Sequence, residues 1–150
     1  GKYALVDKAA VPLLMSISEK WQAIRCGPKW YARCHPRGTA RRAKKIYMHR
    51  VVANAKRGKE VDHKNGDGLD NRKRNVRLAT KSQNMCNRGP QANNKSGFKG
   101  VSKFNKKWWV ARICVNRKRF HLGYFKTATE AFQAYRMAVN EYHGEFARTK

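Results

Sequence analysis

Carboxylates are scarce in this chain. Nine Asp and Glu stand against 35 Lys and Arg among 150 residues, for a formal net charge of +26. The shortage is uneven: Glu60, Asp62, Asp67 and Asp70 crowd together, and no acid follows Asp70 until Glu130. So large an excess of one sign opposes compaction unless a polyanion neutralises it. Nucleic acid is therefore the first partner to consider and an anionic membrane surface the second. Long apolar runs are also missing. No segment approaches the roughly 18 apolar residues of a membrane span and no signal-peptide core is visible, so a soluble, non-secreted protein is expected, without membrane contact. The chain starts at Gly1 rather than Met, which points to a processed or trimmed N-terminus. CxxC pairs are absent. Cys26 and Cys34 with His35 lack a fourth zinc ligand at sensible spacing, and the expectation is reduced thiols in a cytosolic protein. There is no internal repeat.

A hydrophobic content of 41% and an aromatic content of 11% suffice for modest cores and exclude wholesale disorder. The length allows one ordinary domain or two small ones. Residues 1–47 read as short strands, with "WQAIRC" and "KWYARC" flanking a Gly27-Pro28 turn. In "YMHRVVANA", Met48, Val51, Val52 and Ala55 share one face of a short helix, which Gly58 stops; His49 and Arg50 flank that stripe. "KEVDHKNG" reads as a strand entering a turn. "NVRLAT" reads as a second strand with Val76 and Leu78 opposite Arg77, followed by a helix capped by Thr80 or Ser82. Residues 86–95 are Asn-, Gly- and Pro-rich and read as a linker. Three strand-like runs follow, then a helix over 127–144 with Thr129 as cap and Ala131, Ala134, Tyr135, Ala138, Val139 and Tyr142 as apolar face. Two modules result, 1–85 and 96–150, in an α+β class.

The acidic stretch suits phosphodiester hydrolysis. That reaction needs a base for water, a cation for the charge on the phosphorane and leaving oxygen, and a held backbone. A hard divalent ion takes oxygen ligands and keeps waters, and a neutral imidazole is the natural base near neutral pH. Asp62 and His63 are adjacent, so on a strand their side chains diverge: one can hold metal while the other reaches water. Asn84, on the expected helix, could complete a metal site, and Asn75 can pin the ends of the loop "NGDGLDNRKRN". Asp67 and Asp70 read as turn formers and helix caps, and Glu60 as a strand-edge charge. His49 is a candidate for orienting a phosphate, and equally for a structural role on its helix. Arg50, Lys64 and Arg77 are further candidate phosphate contacts.

With Asp62-His63, Asn75 thirteen positions after Asp62 and Asn84 twenty-two after it, the stretch from about 45 to 88 resembles the HNH endonuclease motif of the His-Me finger (ββα-metal) nucleases, in their phage and mobile-intron branch. The resemblance implies His63 as general base, Asp62 and Asn84 as ligands of one Mg2+ or Mn2+, and Asn75 as loop brace. Asn84 replaces the terminal His of the family name, which favours a hard metal over zinc. No small-molecule cofactor is implied.

The second module carries ten basic residues between Lys95 and Lys126, including Lys106 and Arg117, and no acid. A helix on one sheet face would leave the other bare and positive, able to enter a DNA major groove. Trp108 and Trp109 cannot both enter one core, so one should face the DNA. Gly100-Val101, Trp109, Ile113, Leu122-Gly123 and Phe125, followed by the Ala-rich helix, resemble the APETALA-2/ethylene-response-factor DNA-binding domain: a three-stranded antiparallel sheet with one packed helix. The DNA-contact candidates are Lys99, Lys103, Lys107, Trp108, Arg112, Lys118, Arg119 and His121. Ser102, Phe104 and Cys114 stand where the plant domains carry Arg, so no target sequence carries over.

The expectation is a metal-dependent endonuclease acting on double-stranded DNA, as a monomer or weak dimer, phage-borne or homing-type, in the bacterial cytoplasm. Homing, packaging and host-DNA attack are open purposes, and so is the choice between nicking and double-strand cutting. A non-catalytic DNA-binding regulator and a structural RNA-binding protein are the rival classes.

Overall fold

A computed structural model describes residues 1–39, 43–91, 93–116 and 118–147. The chain divides into two compact units, Gly1–Lys81 and Ser82–Lys150. No helix among the described residues is long and apolar enough to cross a membrane.

In the first unit a 3-10 turn, Lys8–Ala10, leads into helix α1, Val11–Ile17. This corrects the expectation of strands throughout 1–47. Pro12 sits in the first turn of α1, where its missing N–H costs nothing. The helix buries only Leu14, so its apolar stripe is too narrow to stand out in sequence. Strands β1, Gln22–Cys26, and β2, Lys29–Cys34, form the hairpin expected around Gly27-Pro28, and β3, Ile46–Tyr47, adds to β2. Helix α2, Met48–Val52, follows at once. Leu14, Ala32, Met48 and Leu69 form the core, with Trp21, Trp30, Val51 and Val52 packed around it. The antiparallel pair β4, Glu60–His63, and β5, Val76–Ala79, completes the unit.

The second unit opens with helix α3, nearly all of which it contains, over Lys81–Cys86. Strands β6, Val101–Lys103, β7, Trp109–Val115, and β8, Lys118–Phe125, then form an antiparallel meander. Helix α4, Ala128–His143, packs on one face of it. Val101, Ala111, Ile113, Ala131, Tyr135, Ala138 and Val139 are the buried centre, with Phe98, Trp109 and Phe132 against it. Tyr142, expected on the apolar face, is exposed and stacks its ring on Phe120 instead. The cap of α4 is Thr127, not Thr129. Its hydroxyl accepts from the Glu130 N–H at 3.1 Å, while the Glu130 carboxylate accepts from the Lys126 N–H at 3.2 Å. This is close to a capping box, shifted by one residue on its second bond.

Gly100 fits this sheet for two reasons. Its φ is +76°, and a Cβ there would enter the Tyr135 ring and come within 2.8 Å of the Arg112 carbonyl. Gly100→Ala should therefore destabilise the second unit by about 2–4 kcal/mol, combining left-handed strain with overpacking. Urea unfolding followed by tryptophan fluorescence measures this. A change within about 0.5 kcal/mol, as for an ordinary surface substitution, would contradict the packing described.

Candidate active site

The loop 64–75, which joins β4 to β5, is tied at both ends by one side chain. Asn75 Oδ1 accepts from the Asn65 N–H at 3.0 Å, and Asn75 Nδ2 donates to the Asp70 carbonyl at 2.7 Å. The Asn75 carbonyl also accepts from the Lys64 N–H at 2.9 Å. Within the loop, Asn65 Oδ1 accepts from the Asp67 N–H and Asp67 Oδ1 from the Leu69 N–H, each at 2.9 Å. These are side-chain-closed turns, the behaviour expected of Asn and Asp here. Asp70 is buried and receives Arg72 Nε at 2.8 Å, an Arg72 terminal nitrogen at 2.7 Å and Asn65 Nδ2 at 3.0 Å. The Arg72 guanidinium, above all, holds its carboxyl below the usual range.

The N-terminal segment straps this loop from outside. Leu5 bridges Asp70 in parallel: its N–H donates to the Leu69 carbonyl and its carbonyl accepts from the Asn71 N–H, each at 2.8 Å. Asp7 Oδ2 accepts from the Lys73 N–H at 2.6 Å. Gly68 lies where a Cβ would enter Trp30 and Tyr31 of β2, so the loop rests directly on that strand. The spacing of Leu5 and Asp7 gives no sign of this contact.

Asp62 and His63, neighbours on β4, are both buried. The His63 ring faces an aromatic cluster, with centroids 5.2 Å from His49 and 6.0 Å from Tyr31. His63 Nε2 lies 3.3 Å from Asn71 Oδ1. Asn71 is wholly buried, and its Nδ2 donates to the Leu69 carbonyl at 3.0 Å. That bond turns Oδ1 toward the imidazole, so Nε2 carries the proton and donates. In this neutral tautomer Nδ1 bears the lone pair. Burial lowers the His63 pKa, against the opposing pull of Asn71 and Asp62. The ring is thus kept in its basic, neutral form. Asn71 was not singled out from the sequence; its only signal was one more Asn in an Asn-rich loop, eight positions after His63.

His49 stands on α2 with its ring 5.7 Å from Tyr31 and 5.4 Å from Tyr47. Its Nδ1 is buried without a hydrogen-bond partner among the described residues. Burial first, then His63 and Arg50, lower its pKa to about 3. Arg50, beside it, donates to the carbonyls of Lys59, Ala55 and Lys56 at 2.8, 3.2 and 2.9 Å, tying α2 to the turn that follows.

Asp62 pairs across the hairpin with Arg77. Arg77 Nε and one terminal nitrogen reach the same oxygen, Oδ2, at 2.9 and 2.8 Å. The Asp62 and Arg77 side chains are only 5% and 11% exposed, so this is a buried ion pair, and removing one partner of such a pair typically costs about 3–5 kcal/mol. Leu78, expected on the covered side with Val76, is 47% exposed. The charged pair, rather than the apolar residue, takes the interior of this hairpin. Lys64 is exposed at the end of β4.

Asn84 lies half-buried on α3, in the second unit. No group of three or more His, Cys, Asp or Glu able to hold a metal occurs among the described residues. The carboxylate oxygens of Asp62 are donors of the kind that suits a hard ion retaining waters, not a thiolate-seeking one.

In the second unit, cross-strand register sorts the candidates by face. Arg112 pairs with His121, and Cys114 with Arg119, on the face away from the buried centre. Tyr124 joins them, with its ring 4.6 Å from His121 and 4.7 Å from Phe104. Trp108 and Lys107 are exposed just before β7, while Trp109 packs on the core. Lys103 sets its ammonium 5.6 Å from the Trp109 ring centroid, on the core side of the sheet. Lys118 is exposed at the start of β8, and Lys99 donates to the Cys86 carbonyl. Arg117 lies outside the described residues.

Comparisons with known proteins meet this geometry. Residues 46–86 match the HNH endonuclease family. Over 87 residues the chain is 33% identical to an uncharacterized HNH endonuclease of Acanthamoeba polyphaga mimivirus. That alignment covers 58% of this chain and 44% of the relative, so the chain spans less than half the length of the relative it matches. No solved structure matches. Both matches are to HNH endonucleases, and the small antiparallel sheets with few helices are compatible with such a fold.

Two outcomes follow for stability. Asn75→Ala removes both side-chain bonds to the loop and leaves the Asp70 carbonyl without the Asn75 donor, so it should cost about 2–3 kcal/mol in chemical denaturation; a change under about 0.5 kcal/mol would contradict the brace. His49 has a folded pKa of about 3 against an ordinary 6.5. As pH falls below 6.5 the unfolded chain binds the proton first, so the stability His49 confers is complete above that pH and is lost toward pH 3. His49→Phe should flatten that part of the stability–pH curve; identical curves for both proteins would contradict the burial.

Proposed function

We propose that the first unit is the cleavage head of a metal-dependent DNA endonuclease that breaks the 3′-O–P bond, leaving 5′-phosphate and 3′-hydroxyl ends. The observation that carries the reading is His63, neutral, buried and held at Nε2 by Asn71, with Asp62 directed to the opposite side of the same strand. Asp62 would be a protein ligand of one Mg2+ or Mn2+. When bound, such an ion supplies positive charge to the phosphorane and the leaving oxygen. His63 Nδ1 takes the proton of the attacking water as its oxygen bonds to phosphorus, and the 3′-oxygen departs with the electron pair of the broken bond. Asn75 acts through the loop, keeping β4 and β5 in register. Lys64 is placed to meet a phosphate, whereas Arg50 is occupied by three carbonyls and serves the turn.

The second unit is proposed as an APETALA-2-like docking module for duplex DNA. Arg112, Arg119 and His121 on one sheet face support this, with Lys107, Trp108 and Lys118 beside them. Joined to it in one chain, this module would raise the effective concentration of the head near its phosphate. Action in a host cytoplasm, on behalf of a virus or mobile element, belongs to the same proposal.

His63→Ala should lower cleavage about 10²–10⁴-fold in saturating Mg2+ and leave duplex binding unchanged. Single-turnover cleavage and a gel-shift titration measure the two. Full activity of the variant would overturn the assignment of the base.

A further inference from the structure

The face of the β6–β8 sheet that points away from α4 carries more aromatic surface than the reading of a groove requires. Tyr124, on β8, has the rings of His121 and Phe104 on either side, with centroids at 4.6 and 4.7 Å and both pairs tilted at 55°. Phe104 is 54% exposed and Tyr124 48%. Trp108, whose carbonyl accepts from the Phe104 N–H at 2.9 Å, is exposed as well. Val110, directly opposite Tyr124, lies outside the buried centre under α4 and yet is 1% exposed, so this face has a small apolar floor of its own. Arg112 stands opposite His121 and Arg119 opposite Cys114, and no acid occurs anywhere from Val101 to Phe125. Cross-strand bracing explains rings that cover one another. It does not explain rings left half in water among cations that have no acid to pair with.

The chemistry of this surface selects its occupant. Cations spaced around exposed rings suit a chain of phosphates that carries flat bases. In a closed groove base edges are read by hydrogen bonds, which the Phe104 ring cannot make. In a closed duplex each base face is covered by its neighbours, so a ring meets a base face only where the stack is open. We propose that this sheet face stacks unpaired bases, and so directs the protein to DNA with one strand locally opened, at a bulge, gap or single-stranded branch, in preference to an intact duplex. Phe104 and Tyr124 take the bases, while Arg112 and Arg119 take the flanking phosphates. The inference rests on this face binding DNA, as proposed above, and adds the form of DNA that it holds.

Fluorescence anisotropy of the full chain in EDTA, with a labelled matched duplex and the same duplex carrying a bulge of unpaired thymines, tests this. The wild type should bind the bulged duplex about tenfold more tightly, within the range that one stacked base contributes. Equal affinities would overturn the inference. Phe104→Arg separates stacking from charge, since it adds a cation and removes a ring. It should bind the matched duplex at least as tightly as the wild type and lose most of the preference for the bulge; a preference that survives would count against stacking. Replacing Arg112 and Arg119 together by Ala separates the two layers. If that variant binds both duplexes more weakly while the wild type shows no preference, only the stacking inference fails. If it leaves both affinities unaltered, this face does not hold DNA, and the docking reading fails with the inference. Stronger competition by single-stranded RNA than by single-stranded DNA of the same sequence would overturn the choice of DNA. Should the variants not fold, the wild type suffices: the Phe104 and Tyr124 ring proton resonances should move upfield, under the ring current of a stacked base, with the bulged duplex, and resonances unmoved at saturation would overturn the inference.

Discussion

The Asn75 carboxamide, bonded to the backbone at both the start and the interior of the 64–75 loop, is the constraint on which the site depends. Side chains alternate along a strand, so a one-residue slip between β4 and β5 would exchange the faces of Asp62 and His63. The carboxylate would then meet the rings of Tyr31 and His49, and the imidazole would meet Arg77. Asn75 prevents that by fixing how many loop residues lie between paired strand ends. The side-chain-closed turns at Asn65 and Asp67, and the Leu5 strap, act on the same loop from within and without.

In a chain this basic, several of the few acids are engaged in structure. Asp7 takes the Lys73 N–H, Asp67 the Leu69 N–H, Asp70 the Arg72 guanidinium, and Glu130 the Lys126 N–H. Glu19 pairs with Arg37. Asp62 is next to a buried neutral imidazole, that of His63, on β4, which distinguishes it from carboxylates that only close turns. The surplus positive charge is left at the surface, where a polyanion can neutralise it.

Much of this was legible, for identifiable reasons. β4, β5, the β1–β2 hairpin and the β6–β8 meander each showed apolar runs bounded by Gly, Pro or Asn, and α4 is long enough for its period to emerge. Helix α1 was missed because a seven-residue helix burying one leucine leaves almost no periodic signal. Leu78 misled because apolar alternation assigns faces without knowing that a charge pair can claim the interior. Thr127 was missed in favour of Thr129 because the cap depends on where the helix starts, which neighbouring threonines do not distinguish. At the site, residue type and spacing pointed to Asp62, His63 and Asn75. They did not point to Asn71, Tyr31 or the Leu5 strap, whose contacts to the loop and to His63 are tertiary.

On the reading proposed above, this basic chain cuts DNA with the help of a divalent ion. Incubating the wild-type protein with supercoiled plasmid in Mg2+ or Mn2+, and in EDTA, tests it most directly, with the product ends then mapped. Relaxed or linear plasmid is expected only with the metal, with breaks that a ligase reseals without prior phosphorylation, as 5′-phosphate and 3′-hydroxyl ends require. Plasmid that is bound yet stays supercoiled across both metals and a range of pH would contradict it, and would favour a DNA-binding regulator built on a nuclease scaffold.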